Sequence, residues 1–215
     1  QLYLDLYHGL ISGVSEINVE VQVTKLYPVL KEEDNLNLTH EKSSFITYIN
    51  GSNQEGRIHN IKQALQRFNG RMIAPNEKVS FNEIIGDTTE ENGYKKAKVI
   101  LNGKYVDDFG GGVCQAATTL YNSALIAGLK IKQVRPHSLK VGYVKGSFDA
   151  MVSAGISDLI IENPYTEPVF LHTYATNSEC GVKIFGIPNE YLIERRCERK
   201  ELSPEESEKY SYISE

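Results

Sequence analysis

The chain has few cysteines, and their number and spacing argue against two kinds of protein. Only three occur among 215 residues, namely Cys114, Cys180 and Cys197. An odd and sparse set is not a disulfide framework, and no pair has the Cys-x-x-Cys spacing of a zinc or thiol redox site. At least one thiol is therefore free or pairs outside the chain. Cys180 and Cys197 either pair with each other or stay idle.

Long apolar runs and an excess of positive charge are also missing. No stretch approaches the roughly 18–20 apolar residues of a transmembrane helix. The net charge of −5 gives no overall attraction to nucleic acids or anionic membranes. We find no phosphate loop, no nucleotide fingerprint and no three metal ligands at sensible spacing, so we expect no metal and no cofactor. Because the chain starts at Gln1, we expect a processed product from which any targeting signal or anchor has been removed.

The apolar periodicity predicts an α+β fold with mixed or antiparallel sheets around a central helix. The predicted helices run from Arg57 to Phe68 and from Cys114 to Ala127, the second closed by Gly128. Residues 1–42 are predicted to be a separate piece, 43–190 the main domain and 191–215 a charged extension. The predicted strands span residues 17–23, 45–49, 79–85, 99–101, 105–106, 130–134, 140–144, 159–162, 169–176 and 182–185.

The most informative segment is Gly110-Gly111-Gly112-Val113-Cys114-Gln115. A glycine run indicates either a flexible loop or backbone that needs positive φ and a close approach. Here the run precedes a cysteine at a predicted helix start, where unpaired N–H groups and the helix dipole favour a thiolate. The same N–H groups, including that of Gln115, could stabilise an oxyanion. The alternative is that Cys114 is an inert buried cysteine.

A cysteine nucleophile needs a base, and His137 is the best candidate among five histidines. The helix, a turn and one strand separate it from Cys114, which would return the chain to the start of the helix. The base needs an acceptor that orients it. Asp149 could reach His137 from an adjacent strand, although it could equally be a turn residue. Asp158 and Asn163 are weaker candidates.

Three further side chains are candidates for contacts with a substrate. Arg57 could bind a carboxylate bidentately, and Asn82 and Tyr143 could line a cleft. Each is otherwise an ordinary structural or surface residue.

These residues, taken in order, resemble the VanW domain family. The resemblance covers about residues 43–187 and departs from the family pattern at Asn76, where a glycine is usual. Residues 1–42 resemble the end of a β-rich module that often precedes this domain. The matching residues are Arg57, Asn60-Ile61, Pro75 to Asn82, Gly86, Gly93-Tyr94, Gly110 to Gln115, Thr118 to Tyr121, Arg135 to Ser138, Tyr143, Gly146, Asp149-Ala150, Asp158 and Asn163-Pro164.

The resemblance implies acyl transfer at Cys114, as in a peptidoglycan L,D-transpeptidase that makes 3-3 cross-links. Cys114, His137 and Asp149 would be catalytic, and Arg57, Asn82, Gln115 and Tyr143 would bind substrate. The donor would be a stem tetrapeptide that releases D-alanine, and the acceptor a second stem with a side-chain amine. The resemblance also implies a Gram-positive, extracytoplasmic cell-wall protein, membrane-anchored in its full-length form and linked to antibiotic resistance.

Two other functions remain open at this point. Water instead of an amine could resolve the thioester, which would make the protein a peptidoglycan endopeptidase or carboxypeptidase. Alternatively, the domain could bind the cell wall without catalysis. The sequence leaves the choice among the three open.

Overall fold

The computed structural model describes residues 12, 38–51, 54–101, 104–146, 148–189 and 193–194. All of these except Ser12 lie in one compact unit, Glu32–Glu215. The predicted strand at 17–23 and Cys197 lie outside the described residues. The three-segment division of the chain stays a prediction.

The strands among the described residues form three antiparallel sheets. The largest has the order β1 (Glu41–Tyr48), β9 (Glu179–Phe185), β8 (Val169–Ala175) and β2 (Met72–Ile73). A second joins β3 (Lys78–Ser80), β7 (Ile160–Glu162) and β6 (Lys130–Gln133). The third is the hairpin of β4 (Lys96–Leu101) and β5 (Lys104–Phe109).

The described part of the unit also contains three helices, and the longest lies at its centre. They are α1 (Glu55–Gln66), the short α2 (Phe81–Ile85) and α3 (Val113–Ile126). Helix α3 is buried along almost its whole length, and it packs against α1, β1 and β9. The predicted α+β fold around a helix that starts at the glycine-cysteine motif is therefore confirmed.

Polar residues on α3 are also buried, and they are paired with the large sheet. Ser43 and Ser123 hydroxyls lie 2.8 Å apart, and so do the Thr47 and Thr119 hydroxyls. A helix face that carries hydroxyls can pack on a sheet only where the strands supply partners, because an unpaired buried polar group costs about 1–3 kcal/mol. These pairs therefore fix the register of α3 against β1.

One predicted strand is wrong and another is too long. Residues 140–144 form no strand: 142–144 are bends, and among the described residues β6 pairs only with β7. The predicted strand 79–85 stops at Ser80, whose side chain accepts a hydrogen bond from the Glu83 N–H at 3.1 Å and caps α2. Ser80 and Glu83 have the spacing of a capping box, which is the signal that predicts a helix start there.

Candidate active site

Cys114 is the second residue of α3, because the helix begins at Val113, one residue before its predicted start. The Val113 N–H donates to Gly110 and the Gln115 N–H to Gly112, whereas the Cys114 N–H has no backbone acceptor among the described residues. The expectation that the Gln115 N–H stabilises an oxyanion is therefore not supported by its geometry. The Cys114 N–H is the donor that remains available at the helix start.

All three glycines of the run are required by the space around them, as Gly112 and Gly111 illustrate. Gly112 has a φ of 106°, and a Cβ there would lie 2.9 Å from Cγ of Arg57. A Cβ on Gly111 would lie 2.8 Å from the Lys98 carbonyl oxygen on β4. The segment is therefore a tightly packed turn between α1 and β4, and its role is to place Cys114 accurately.

His137 lies in the loop that follows β6, and Asp149 binds it at two points. One carboxylate oxygen, Oδ2, accepts from the His137 backbone N–H at 2.7 Å and lies 2.6 Å from ring Nδ1. Both side chains are only 8% exposed. Because Asp149 occupies Nδ1, Nε2 is the ring nitrogen left to interact with Cys114, which lines the same cleft as His137. The predicted arrangement of Cys114, His137 and Asp149 is thus present in space.

The loop that carries Asp149 is attached to the same helix that carries Cys114. The Thr118 hydroxyl accepts from the Ala150 N–H at 3.0 Å, and the Asn122 amide donates to the Phe148 carbonyl at 2.8 Å. Cys114, Thr118 and Asn122 are four residues apart, so they share one face of α3. The sequence alone did not indicate a role for Asn122. A repeat of polar residues at this spacing in an otherwise apolar helix is the signal that could have revealed it.

His137 has a perturbed acidity. Burial lowers its pKa, but the hydrogen bonds to Asp149 and Cys114 and their negative charges outweigh burial and raise the pKa to about 9. For Asp149, burial raises the pKa, whereas the hydrogen bonds from His137 prevail and hold the pKa below its usual value. At neutral pH the imidazole is therefore positively charged beside the cysteine.

Cys114 and His137 line a cleft of about 1210 Å³. Its walls include the β4–β5 hairpin, the loop 151–156 and Tyr48 at the end of β1. The Cys114 thiol also donates to the Val152 carbonyl at 3.4 Å, a contact that the sequence analysis did not predict. The cleft is large enough for a peptide on each side of the cysteine.

Arg57 and Tyr143 also line the cleft, as predicted. The Arg57 guanidinium lies 5.8 Å from the centre of the Tyr143 ring. Burial raises the pKa of Tyr143, and the charge of Cys114 raises it further, so Tyr143 stays protonated. Both side chains are half-buried and available to a bound molecule.

Asn82 also lines the cleft, as predicted, and so does Gln115, but both side chains have partners within the protein. Gln115 is 1% exposed and accepts from Arg57 Nη2 at 2.7 Å. Asn82 donates to the Ser157 carbonyl at 2.8 Å and thereby holds the loop at the cleft rim. Asp158 accepts from Ser80 Oγ at 2.5 Å and from the Asn82 N–H at 3.0 Å, so it supports the start of α2 and does not orient His137. Asn163 lies in a buried turn and bonds to the Ile73 carbonyl.

Cys180 is a free thiol in a different environment. It is fully buried, 3.2 Å from the Thr47 hydroxyl, and burial raises its pKa. Among the described residues no group of three acidic, histidine or cysteine side chains could hold a metal ion. The same part of the chain contains no helix with the length and apolarity to cross a membrane.

Comparison with known proteins identifies the family. The family described as VanW like protein matches residues 56–185. The chain is 33% identical to the uncharacterized protein YoaR of Bacillus subtilis over 172 residues, which are 80% of this chain and 56% of the relative. It is also 33% identical to the vancomycin B-type resistance protein VanW of Enterococcus faecalis over 116 residues, 51% of this chain and 42% of the relative.

The chain therefore belongs to the VanW family, as its motifs predicted. It spans about half the length of the curated relatives that it matches. No solved structure gives a significant match.

Proposed function

We propose that this member of the VanW family is a peptidoglycan L,D-transpeptidase that forms 3-3 cross-links through a cysteine thioester. The observation that carries the proposal is the Cys114–His137–Asp149 arrangement at a helix start in a large cleft. The vancomycin-resistance name of one relative supports a substrate in the cell wall. The partners would be a donor stem tetrapeptide and an acceptor stem.

In the first step the Cys114 thiolate attacks the carbonyl carbon of the donor's third residue. The carbonyl π electrons move to oxygen, and the oxyanion accepts the hydrogen bond of the Cys114 N–H. When the intermediate collapses, the C–N bond to D-alanine breaks. His137 Nε2 gives its proton to the departing amine, and a thioester remains on the enzyme.

In the second step the side-chain amine of the acceptor attacks the thioester carbon. The now neutral His137 takes a proton from the amine nitrogen, the C–S bond breaks and the Cys114 thiolate is restored. Asp149 keeps Nδ1 protonated throughout, so Nε2 alone exchanges the proton. The two steps conserve protons and need no cofactor.

The raised pKa of His137 suits this cycle. A pKa of about 9 keeps the imidazolium present at neutral pH, where the first step needs an acid. Formation of the neutral thioester removes the thiolate charge that contributes to this raised pKa, so the pKa of His137 falls and more of the imidazole is in the neutral form that the second step needs as its base. The change of charge on Cys114 thus changes the role of His137.

The proposed substrate also sets the location. Peptidoglycan lies outside the cytoplasmic membrane, so the domain would act in an extracytoplasmic compartment at the cell wall. An anchor elsewhere in the full-length protein would hold it there.

The proposal is tested with purified disaccharide-tetrapeptides and mass spectrometry of both protein and products. We expect an acyl adduct on Cys114, release of D-alanine and 3-3 dimers, all abolished by Cys114→Ala. Cys180→Ala is the matched control, because that thiol is fully buried and away from the cleft, and it should retain activity.

The same measurement separates the alternatives. Trimmed stems without dimers would identify a hydrolase that uses the same thioester. Stem binding without any adduct or product would identify a non-catalytic wall-binding module. Dimers from Cys114→Ala would contradict the role of the cysteine.

A further inference from the structure

Arg57 brings a positive charge into the cleft without an acidic partner among the described residues. Its guanidinium makes one hydrogen bond to protein there, from Nη2 to Gln115 Oε1 at 2.7 Å. The side chain is half-buried and lines the same cleft as Cys114. A guanidinium that is partly removed from water usually has a carboxylate or phosphate partner, because its charge is costly to bury alone. This feature therefore points to an anionic group on the bound molecule.

Gln115 fixes the guanidinium without neutralising it. The Gln115 amide nitrogen donates to Thr47 Oγ1 at 3.1 Å and to the Tyr48 carbonyl at 3.0 Å. These two acceptors orient the amide, so its oxygen must face Arg57. A glutamate at this position would pair with Arg57 and cancel its charge, whereas the neutral amide leaves the charge available.

The surroundings of Arg57 restrict it further and place it close to the reactive sulfur. Tyr143 lies near the guanidinium, and Gly112 leaves the space that the Arg57 stem occupies. Arg57 is thus in contact with the residue two positions before Cys114 and the residue directly after it. One peptide unit spans about 3.8 Å between Cα atoms. A carboxylate on Arg57 would therefore belong to a residue close to the bond that Cys114 attacks.

We propose that Arg57 binds the free α-carboxylate of the donor peptide and that Gln115 is the residue that positions it. The site would then select donors whose scissile bond lies one residue from a free C-terminus. This inference rests on the proposed function, because it assigns the recognition of the donor at the same site. It names a feature of the substrate that the thiol and histidine alone would not distinguish.

The test compares a donor tetrapeptide that ends in a free acid with the same peptide that ends in an amide. Binding is measured calorimetrically on Cys114→Ala, and acylation rates by mass spectrometry on protein with the cysteine intact. A hydrogen-bonded ion pair contributes roughly 1.5–3 kcal/mol, so we expect the acid to be preferred by about 30-fold. Arg57→Gln should reduce this preference to about threefold or less, whereas the exposed Arg67 provides the control variant Arg67→Gln, which should keep it.

Gln115→Met tests the positioning role, since it keeps the volume but removes the acceptor for Arg57. We expect it to reduce the preference for acid over amide while Arg57 is still present. A purely structural defect would weaken both peptides equally and leave the ratio unchanged, which would contradict the positioning role. If Gln115→Met does not fold, Arg57→Lys gives the second measurement. A lysine keeps the positive charge but cannot bind a carboxylate in the fixed geometry of a guanidinium, so the preference for acid over amide should fall.

The outcomes separate this inference from the proposed function. Equal acylation of acid and amide would overturn the carboxylate proposal and leave the transpeptidase proposal intact. Preferential binding of the acid that depends on Arg57, without any acylation, would support the carboxylate proposal while the transpeptidase proposal fails.

Discussion

The Asp149→Asn variant tests the electrostatic arrangement of the site most directly. The substitution keeps the size of the side chain but removes the negative charge that lies 2.6 Å from His137 Nδ1. The amide oxygen can take the place of Oδ2 and accept from both the His137 backbone N–H and Nδ1–H, as the carboxylate does. The ring tautomer is then kept, and the variant removes the negative charge of Asp149 that raises the pKa of His137.

The size of the effect follows from the pKa of His137. Its rise from the ordinary value of 6.5 to about 9 corresponds to roughly 3 kcal/mol, at about 1.36 kcal/mol per pKa unit. At pH 7.5 the imidazolium fraction would be about 97% with a pKa of 9 and about 9% with a pKa of 6.5. Because most of the charged acid is lost, we expect the acylation rate of Asp149→Asn to fall by up to about tenfold.

The assay is a titration of the histidine ring signals by NMR. His137→Asn identifies the signal by its disappearance. The wild-type signal should titrate near pH 9, and the Asp149→Asn signal at a clearly lower pH, because Cys114 alone then opposes the effect of burial. Asp158→Asn is the control, because that carboxylate caps α2 and makes no hydrogen bond to His137, so its His137 signal should keep the wild-type behaviour.

The free energy of unfolding should depend on pH through the same two pKa shifts. His137 has a raised pKa in the folded state, so its contribution is complete below pH 6.5 and is lost as the pH rises through about 9. The pKa of Asp149 is lowered, so its contribution is present above its unfolded value and lost in acid. The difference in unfolding free energy between wild type and Asp149→Asn should be largest between the pKa of Asp149 in the unfolded chain and pH 6.5, where both contributions are present. It should shrink above pH 9. A wild-type His137 that titrates at 6.5, or an equal pKa in both proteins, would refute the reasoning.

Three other experiments have distinct expected outcomes. Iodoacetamide should label Cys114 in the folded protein and Cys180 only after unfolding, as peptide mapping would show; labelling of both at equal rates would contradict the burial of Cys180. Gly112→Ala should destabilise the fold by about 1–2 kcal/mol in urea unfolding, because it places a Cβ against Arg57 at a positive φ; an unchanged midpoint would contradict the tight turn. Thr118→Val should cost about 1–3 kcal/mol and slow acylation, since it leaves the Ala150 N–H unpaired; unchanged acylation would show that the loop does not depend on this bond.

The central helix could be predicted from sequence because its signals are local. Apolar spacing, the glycines before Cys114 and Gly128 after the last turn together specify where α3 begins and ends. His137 could be predicted as the partner of Cys114 because only a helix, a turn and a strand separate the two. These inferences needed no knowledge of which strands pair.

The routes of the connecting loops could not be predicted in the same way. Asp149 reaches His137 through an irregular loop held by side chains of α3, and not from the strand that its neighbours suggested. Gln115 looked like a substrate ligand because it follows the nucleophile, yet its amide faces the end of β1. Such contacts depend on which helix face meets which strand, and that is a tertiary property without a local pattern.

The attachment of the Asp149 loop to α3 also has a kinetic consequence. The amide protons of His137 and Ala150 lie in segments without regular secondary structure, yet both are bonded to side chains, those of Asp149 and Thr118. Exchange of these protons with solvent requires that the bonds break, and Thr118 belongs to the most buried helix of the unit. The two protons should therefore exchange with deuterium as slowly as those of the helical core, and the site should open only when the whole unit unfolds.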